Sequence, residues 1–542
     1  MKLLDEVQNK GYGGKTMQKL ELTWIGKGNE PAVEPRILLH DASKDYGDPN
    51  AENMLIHGDN LLALKALEQE YAGQVKCIYI DPPYNTGNAF EHYDDNLEHS
   101  IWLNLMKPRL EILRNLLNES GSIWITIDDE ERDYLKVLCD EVFGRNCFIG
   151  SIAWRHSDNS NNNALTFSED HNHILVYGKR ANWRPKFLND PSKRTHFKNP
   201  DNDPRGPWFD GNPVNNPGLR VNLQYDITTP SGKIIKHPPN GWRWSWETMQ
   251  EKMSTGEIRF SDDETRIIRR TYLEEMGGLP PSTLWTDLEV TGHTRKAKYE
   301  LKNLFPEIPV TSLFSTPKPE LVVNYVLQLA TEPGDLVLDS FLGSGTTAAV
   351  AHKMGRRYIG IELGEHCYTH CIPRLQAVVD GEQGGISKAQ NWKGGGGFKF
   401  YELAPTLIVK DKHGQPIISE KFNPQMLVAA VAKLNGYSYS PNDEVFWKQG
   451  KSQENSYIFV TTEYLTFAML DEIAKDLPEH ERLLICSPAF DVGLGNRYDN
   501  IGVRKIPQSV LAKCEYGVDN YNLNIISPPE LDEDDWEDID NA

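Results

Sequence analysis

Two tracts of alternating strand and helix pattern, held apart by a long tract without it, constrain this chain more than any other feature. In residues 53–150, "NMLIHGD" reads as a strand entering a turn, and "NLLALKALEQEYAG" as a helix closed by glycine. "VKCIYI" follows as a strand, "SIWLNLMKPRLEILRNLLNESG" as mainly helix, "SIWITID" as a strand and "EERDYLKVLCDEVFG" as a helix. The rhythm resumes near residue 317 with the helix "PELVVNYVLQLATEPG", the strand "DLVLD", the helix "TTAAVAHKMG", the strand "RRYIGIEL" and the helix "HCYTHCIPRLQAVV". Repeated β–α units favour a parallel sheet covered by helices. The expected fold is α/β, a doubly wound, mostly parallel sheet built from 51–150 and 310–392. An insertion at 151–309, rich in Asn, Pro, Gly and Arg, splits it. Residues 1–50 read as a poorly ordered N-terminal arm. Beyond the glycine run "KGGGGFKF", residues 398–530 read as an additional C-terminal α/β domain, and 531–542 as an acidic tail.

Charge narrows the partners. The formal net charge is −21 over 542 residues, which on its own argues against a nucleic-acid binder, because phosphate contacts need Lys and Arg. The charge is uneven, however. "PELDEDDWEDIDNA" carries eight acids and no base, whereas "KRANWRPKFLNDPSKRTHFK" (179–198) carries seven Lys/Arg against one acid. A local basic stripe outweighs the total. Seven scattered cysteines suit reduced thiols in a cytoplasm. With no run of eighteen apolar residues and no apolar leader at the start, neither a membrane span nor a signal peptide is expected.

Two strand ends carry chemistry. In "DLVLDSFLGSGTTAAVAHKMG" a strand ends at Asp339, a turn holds Phe341, Gly343 and Gly345, and a helix begins near Thr346. Glycines allow close approach of the backbone to a ligand, and a helix start offers free N–H groups to an anion. A lone Gly-x-Gly is weak, and a tight β–α turn is the plainer reading. The next strand adds Glu362 at its end, where an acid can accept from two ribose hydroxyls. A nucleoside with a carboxylate and no phosphate fits both features; S-adenosylmethionine is such a ligand. The second strand end is "CIYIDPPYNTG". Ligands of open parallel sheets bind outside the carboxyl ends of the strands, so Asp81 and Gly343 can face one cleft. An exocyclic amine on a nucleobase is a poor nucleophile because its lone pair is delocalised into the ring. Acceptors on its two hydrogens free that lone pair. Asp81 offers a carboxylate, the Pro82 carbonyl a second acceptor in a loop stiffened by Pro82 and Pro83, and Tyr84 a stacking face. A base in a duplex must flip out to reach such a pocket.

These motifs and their order resemble the beta class of DNA adenine-N6 methyltransferases, and most closely the modification subunits of type III restriction–modification systems. The matching pieces are "IHGDNLLALKAL", "DPPYNTG", "SIAWRH", "NPDNDPRGPW", "TPKPELV", "DSFLGSGTTAAVAHKMGRRYIGIEL" and "GFKFYEL", spread over roughly residues 53–403. The resemblance implies that Asp59 contacts the adenine of S-adenosylmethionine, that Phe341, Gly343 and Gly345 line its methionine end and Glu362 its ribose, and that Lys318 borders the same pocket. It implies that Asp81, Pro82 and Tyr84 hold the target adenine. It further implies methylation of adenine N6 in double-stranded DNA, a homodimer, and a helicase-like restriction subunit as partner. No metal is needed for the transfer.

The remaining features are more open. The 151–309 insertion is the natural target-recognition region, with Arg155, Arg180, Arg184 and Arg194 as candidates for DNA contact and Trp183 or Trp208 for stacking. Ordinary surface arginines and core tryptophans are the alternative for each alone. "EHCYTHC" spaces His and Cys as zinc ligands do, yet a helix after a sheet strand must pack one face, so no metal is expected there. Asp128, Asp129 and Glu130 fit helix-start acids or the edge of the cleft. A cytosine-N4 or RNA-directed amino-methyltransferase, or a non-catalytic specificity subunit, remain the rival readings.

Overall fold

A computed structural model of the protein describes residues 21–84, 95–161, 164–189, 191–211, 214–442, 444–452, 455–507, 510 and 516–517. The expected acidic tail and the first twenty residues of the expected arm lie outside the described residues. The chain divides into two compact units, 1–184 with 282–542, and 185–281.

The larger unit is built on an eleven-stranded sheet. Ten of its strands are β1 (Leu38–His40), β2 (Met54–His57), β3 (Val75–Ile80), β4 (Leu117–Ile127), β5 (Phe148–Arg155), β6 (His171–Gly178), β7 (Leu284–Trp285), β8 (Leu336–Asp339), β9 (Arg357–Glu362) and β10 (Gly397–Leu403). They lie in the order β1–β10–β2–β9–β8–β3–β4–β6–β5–β7. The six from β10 to β4 are mutually parallel, while β1 and β6 run against their neighbours. The central parallel strands β3 and β8 are buried almost throughout and mostly apolar, as burial on both faces demands. Ile78, Ile80, Ile123 and Ile125 point to one face, where they pack with Leu64 of α1 (Asn60–Tyr71), Met106 and Leu110 of α2 (Asp95–Leu116) and Leu135 of α3 (Asp129–Cys139). Trp124 points to the other face, stacked at 6.4 Å on Trp285, which meets Tyr325 edge-on at 4.8 Å. Between β7 and β8 lie α4 (Thr294–Leu304) and α5 (Glu320–Ala330); α6 (Thr346–Lys353) and α7 (Ile372–Val379) follow β8 and β9. Helices on both faces make the sheet doubly wound.

From β3 the chain proceeds to β4 on one side, and from β8 to β9 on the other. These two first strands are neighbours, with Ile78 beside Leu338. The order therefore reverses between them, and the chain leaves the sheet side by side after Ile80 and Asp339. That reversal is where an open α/β sheet leaves a crevice.

Several segments join this sheet from outside the two tracts with regular rhythm. Residues 38–40, expected within a loose arm, form an edge strand paired antiparallel with 401–403. Ile37 is buried and Leu39 packs against the same apolar cluster, which fixes the segment. The hairpin β5–β6 extends the sheet at the other edge. After β10, a separate five-stranded sheet of residues 438–439, 450–451, 456–460, 482–487 and 501–505 is backed by helix Pro424–Leu434 through Leu427, Val431 and Ile458.

The smaller unit, 185–281, has a three-stranded antiparallel sheet of 208–210, 258–260 and 267–272, a two-stranded sheet of 227–228 and 234–235, and the α-helix Trp246–Ser254. Its core is small, centred on Ile227, Trp242, Met249 and Ile258. Its two ends are tied together, Leu188 pairing antiparallel with Leu279.

Candidate active site

The site is assembled at the reversal between β3 and β8. Asp81 follows the buried strand β3, and both of its carboxylate oxygens have partners. The Tyr84 hydroxyl donates to Oδ1 at 2.8 Å, and Lys318 Nζ donates to Oδ2 at 2.5 Å. Lys318 also lies 5.1 Å from the centre of the Tyr84 ring. A charged partner and a hydroxyl fix the aim of the carboxylate. Burial, and then the Asp81 charge, push the Tyr84 phenol well above its usual range, so it stays a neutral donor. The loop itself is anchored from α2, where the Trp102 indole N–H donates to the Pro83 carbonyl at 2.7 Å. Among the described residues no donor takes the Pro82 carbonyl, which leaves that oxygen as an acceptor.

The second half begins at Asp339, which is 3% exposed. Its carboxylate accepts from Phe341 N–H at 2.9 Å and from Thr347 Oγ1 at 2.6 Å. Burial pushes its pKa up to about 7, against those hydrogen bonds; the charges of Asp81 and Glu362 add to the rise. Gly343 and Gly345 both have positive φ, +57° and +85°, and Gly345 is the residue from which α6 starts. This is the backbone region that glycine alone enters without cost. Phe314 lies against Gly343, where a Cβ would come within 3.1 Å of its ring. Thr346 donates to the Lys318 carbonyl at 3.1 Å, so the start of α6 is bonded to the segment that holds Lys318.

Glu362 closes the arrangement. Its Oε2 accepts from Gly343 N–H at 2.7 Å, and its Oε1 accepts from Leu363 and Gly364 N–H at 2.9 and 3.0 Å. His366 Nε2 lies 2.9 Å from the same Oε1. The carboxylate at the end of β9 thus sets the shape of the glycine loop of β8. The cysteines of "EHCYTHC" are spent on packing: both are buried, and the Cys371 thiol donates to the Gly343 carbonyl at 3.1 Å.

Asp59 is engaged inside the protein. Oδ1 caps α1 by accepting from Leu62 N–H at 3.0 Å, and Oδ2 lies 3.4 Å from a guanidinium nitrogen of Arg109, both side chains fully buried. Arg109 also donates to Asn60, whose amide donates to the Ser340 carbonyl at 2.7 Å. This chain of bonds ties the end of β2 to the end of β8. Asp128 caps α3, beside the pocket, and burial pushes its carboxyl up to about 7.

The structure therefore brings together Asp81, Pro82, Pro83, Tyr84, Lys318, Asp339, Phe341, Gly343, Gly345, Thr346 and Glu362. The four arginines do not converge in this way. Arg155 donates to the carbonyls of Ser157 and Asp158 in its own loop. Arg180 follows the end of β6 that lies beside Ser122, the far end of the sheet from Asp81, and is paired with Glu119. Arg184 donates to the neighbouring Trp183 carbonyl, and Trp183 itself is buried. Arg194 is buried within the smaller unit, bonded to the Gly277 carbonyl. Trp208, in the same unit, has Arg270 4.0 Å over its ring. Sequence reasoning missed Trp102, Arg109, Phe314 and Asn172. Of these only Asn172 leaves a trace, a polar residue between two histidines at the head of an apolar strand.

Comparison with known proteins bears on this geometry. The DNA methylase family (N6_N4_Mtase) matches residues 75–372, more than half of the chain. The probable type III restriction-modification enzyme HindVI Mod subunit of Haemophilus influenzae is 33% identical over 426 residues, covering 66% of this chain and 54% of that protein. The type III EcoP15I Mod subunit of Escherichia coli is 28% identical over 479 residues, 73% of each chain. This chain thus spans about half the length of the first relative and nearly three quarters of the second. Among solved structures, an M1.HpyAVI–SAM complex matches 59% of this chain at 16% identity with a TM-score of 0.31. With the family match running from β3 through the glycine loop to the first residue of α7, the chain belongs to the DNA methylase family.

Proposed function

We propose that this protein methylates the N6 amine of adenine in double-stranded DNA, using S-adenosylmethionine. We further propose that it is the modification and recognition subunit of a type III restriction–modification system or a related phage-defence complex. The observation that carries the reading is the aimed carboxylate of Asp81, beside Tyr84 and one strand away from a glycine loop held by Glu362. The two relatives named as Mod subunits support the same assignment.

The residues present fit S-adenosylmethionine. Glu362, at the end of β9, has a single donor on Oε2 and can still accept a ribose hydroxyl there; the positive-φ glycines 343 and 345 allow close approach of an amino-acid end; Phe314 gives an apolar wall. Asp59 and Arg109 fix the turn beside which the adenine would lie. When bound, the cofactor supplies an electrophilic methyl group. On the target side, the Asp81 carboxylate and the Pro82 carbonyl accept the two amine hydrogens and localise the nitrogen lone pair. Tyr84 stacks on the base, which leaves the duplex to reach it. Holding the amine in this orientation supplies much of the rate. No general base is required, because the amine loses its proton after attack. The 185–281 unit would supply target recognition, a homodimer the assembly, and a helicase–nuclease subunit the cleavage.

The test is methyl transfer from labelled cofactor to unmethylated genomic DNA, digested to nucleosides, with Asp81→Ala in parallel. N6-methyladenine is expected from the wild type, and a rate about a hundred- to a thousandfold lower from the variant, with cofactor binding retained. Label in N4-methylcytosine or only in RNA would replace the substrate; bound cofactor without transfer to any nucleic acid would overturn the reading.

A further inference from the structure

Strand β6 places one polar side chain in the target pocket that none of the roles above uses. His171 and His173 share one face of this strand, gathered with Asp129 so that their donor atoms lie within 4.8 Å of one another. Alternation turns Asn172 to the opposite face. There its Nδ2 lies 3.5 Å from the Tyr84 hydroxyl, which is itself 2.8 Å from Asp81. A distance of 3.5 Å is the outer limit of a hydrogen bond. Among the described residues this is the only bond of the Asn172 amide. Asparagine is disfavoured in strands, and a half-buried amide with one marginal partner gains little from folding.

We infer that Asn172 is a specificity-determining residue, donating its Nδ2–H to an acceptor ring nitrogen that neighbours the gripped amine of the flipped adenine. The inference rests on the methyltransferase reading above. Its chemistry complements that grip. Asp81 and the Pro82 carbonyl accept from any exocyclic amine, so they do not test what lies beside it. In adenine the amine is flanked by the bare nitrogens N1 and N7. Guanine and thymine offer the grip an oxygen and, at N1 and N3, offer the donor a ring hydrogen, so both contacts reject them, whereas cytosine, with a bare N3 beside its amine, satisfies both. An amide donor beside the Tyr84 hydroxyl therefore reads the ring edge as well as the amine, and leaves the choice between adenine and cytosine to the shape of the pocket.

The test uses the whole protein and duplexes carrying its mapped methylation site, with adenine, 1-deazaadenine or 7-deazaadenine at the target. Asn172→Ala is expected to lower kcat/KM on adenine about tenfold. One deaza base should slow the wild type by a similar factor, and on that base Asn172→Ala should lose nothing more. Which base does so distinguishes N1 from N7. Asn172→Asp keeps the shape and replaces the donor by an acceptor; it should lose at least as much. Cofactor affinity, measured by equilibrium dialysis, should be unchanged in both, and if the alanine variant fails to bind cofactor the aspartate variant decides. Equal losses on all three bases, no loss on adenine, or a wild type indifferent to both deaza bases would overturn the inference. A wild type that methylates no DNA overturns the underlying reading as well; an active wild type with an inert Asn172 overturns this inference alone.

Discussion

At the scale of single residues, the site is defined by carboxylates whose surroundings differ. Asp81 has two donors and faces the crevice, whereas Asp339 is buried behind it and is pushed up to about 7 by its burial. A free aspartate ionises near 4. Between roughly pH 4 and pH 7 the folded chain therefore holds a proton that the unfolded chain has released, and stability falls as pH rises through that window. Asp128 and Glu300, also raised to about 7 chiefly by burial, act in the same direction. Asp339→Asn should remove one share of this slope. Its stability relative to wild type is expected to improve from pH 4.5 to pH 8 by up to about 3 kcal/mol. Unfolding curves at the two pH values check this, and parallel wild-type and variant curves would refute it. Asp81, Tyr84 and Glu362 were legible in the sequence because a strand end restricts where a side chain can be. Phe314 was not, because nothing in "SLFSTPKPE" says which turn its ring will cover.

Among the elements, the turn between β8 and α6 concentrates the constraints. Gly343 has φ +57°, a Cβ there would come within 3.1 Å of the Phe314 ring, and its N–H is held by Glu362. Alanine there adds a strained backbone and a displaced ring, a cost of about 1–3 kcal/mol. Gly343→Ala should lower the melting temperature and weaken cofactor binding by about tenfold or more, read by calorimetry. Unchanged affinity would mean that the loop does not shape the cofactor pocket. The strand–helix rhythm on either side of the insertion was readable from periodicity. The hairpin β5–β6 was not placed, since "SIAWRH" and "HNHILVYG" become part of the sheet only by pairing with each other and with β4. That pairing also decides the fate of Arg155 and Arg180. Because β6 runs antiparallel to β4, Arg180 falls at the end of the sheet away from Asp81.

The whole molecule joins a large sheet unit to the smaller 185–281 unit. The ends of the smaller unit are paired, Leu188 with Leu279, and its core residues are its own, so its removal need not tear the sheet. Replacing 185–281 by a short Gly/Ser linker is expected to leave cofactor affinity within a few-fold of wild type and to abolish sequence-specific DNA binding, with any residual binding strongly salt-dependent. Titration with cofactor and with specific and random duplexes distinguishes the two effects. Specific binding that survives would move target recognition to the sheet unit. Among the described residues no helix is long and apolar enough to cross a membrane.

The sequence by itself determined the parallel, doubly wound sheet, the interruption within it and the two strand ends that carry the chemistry, because these follow from periodicity and from residues with few conformational choices, such as Pro82, Pro83, Gly343 and Gly345. Only the tertiary structure decided the partners. Lys318 reaches Asp81, Trp102 anchors Pro83, Glu362 holds Gly343, and Asn172 faces Tyr84, although each pair lies on different elements. Such contacts depend on strand order and register, which local sequence does not encode.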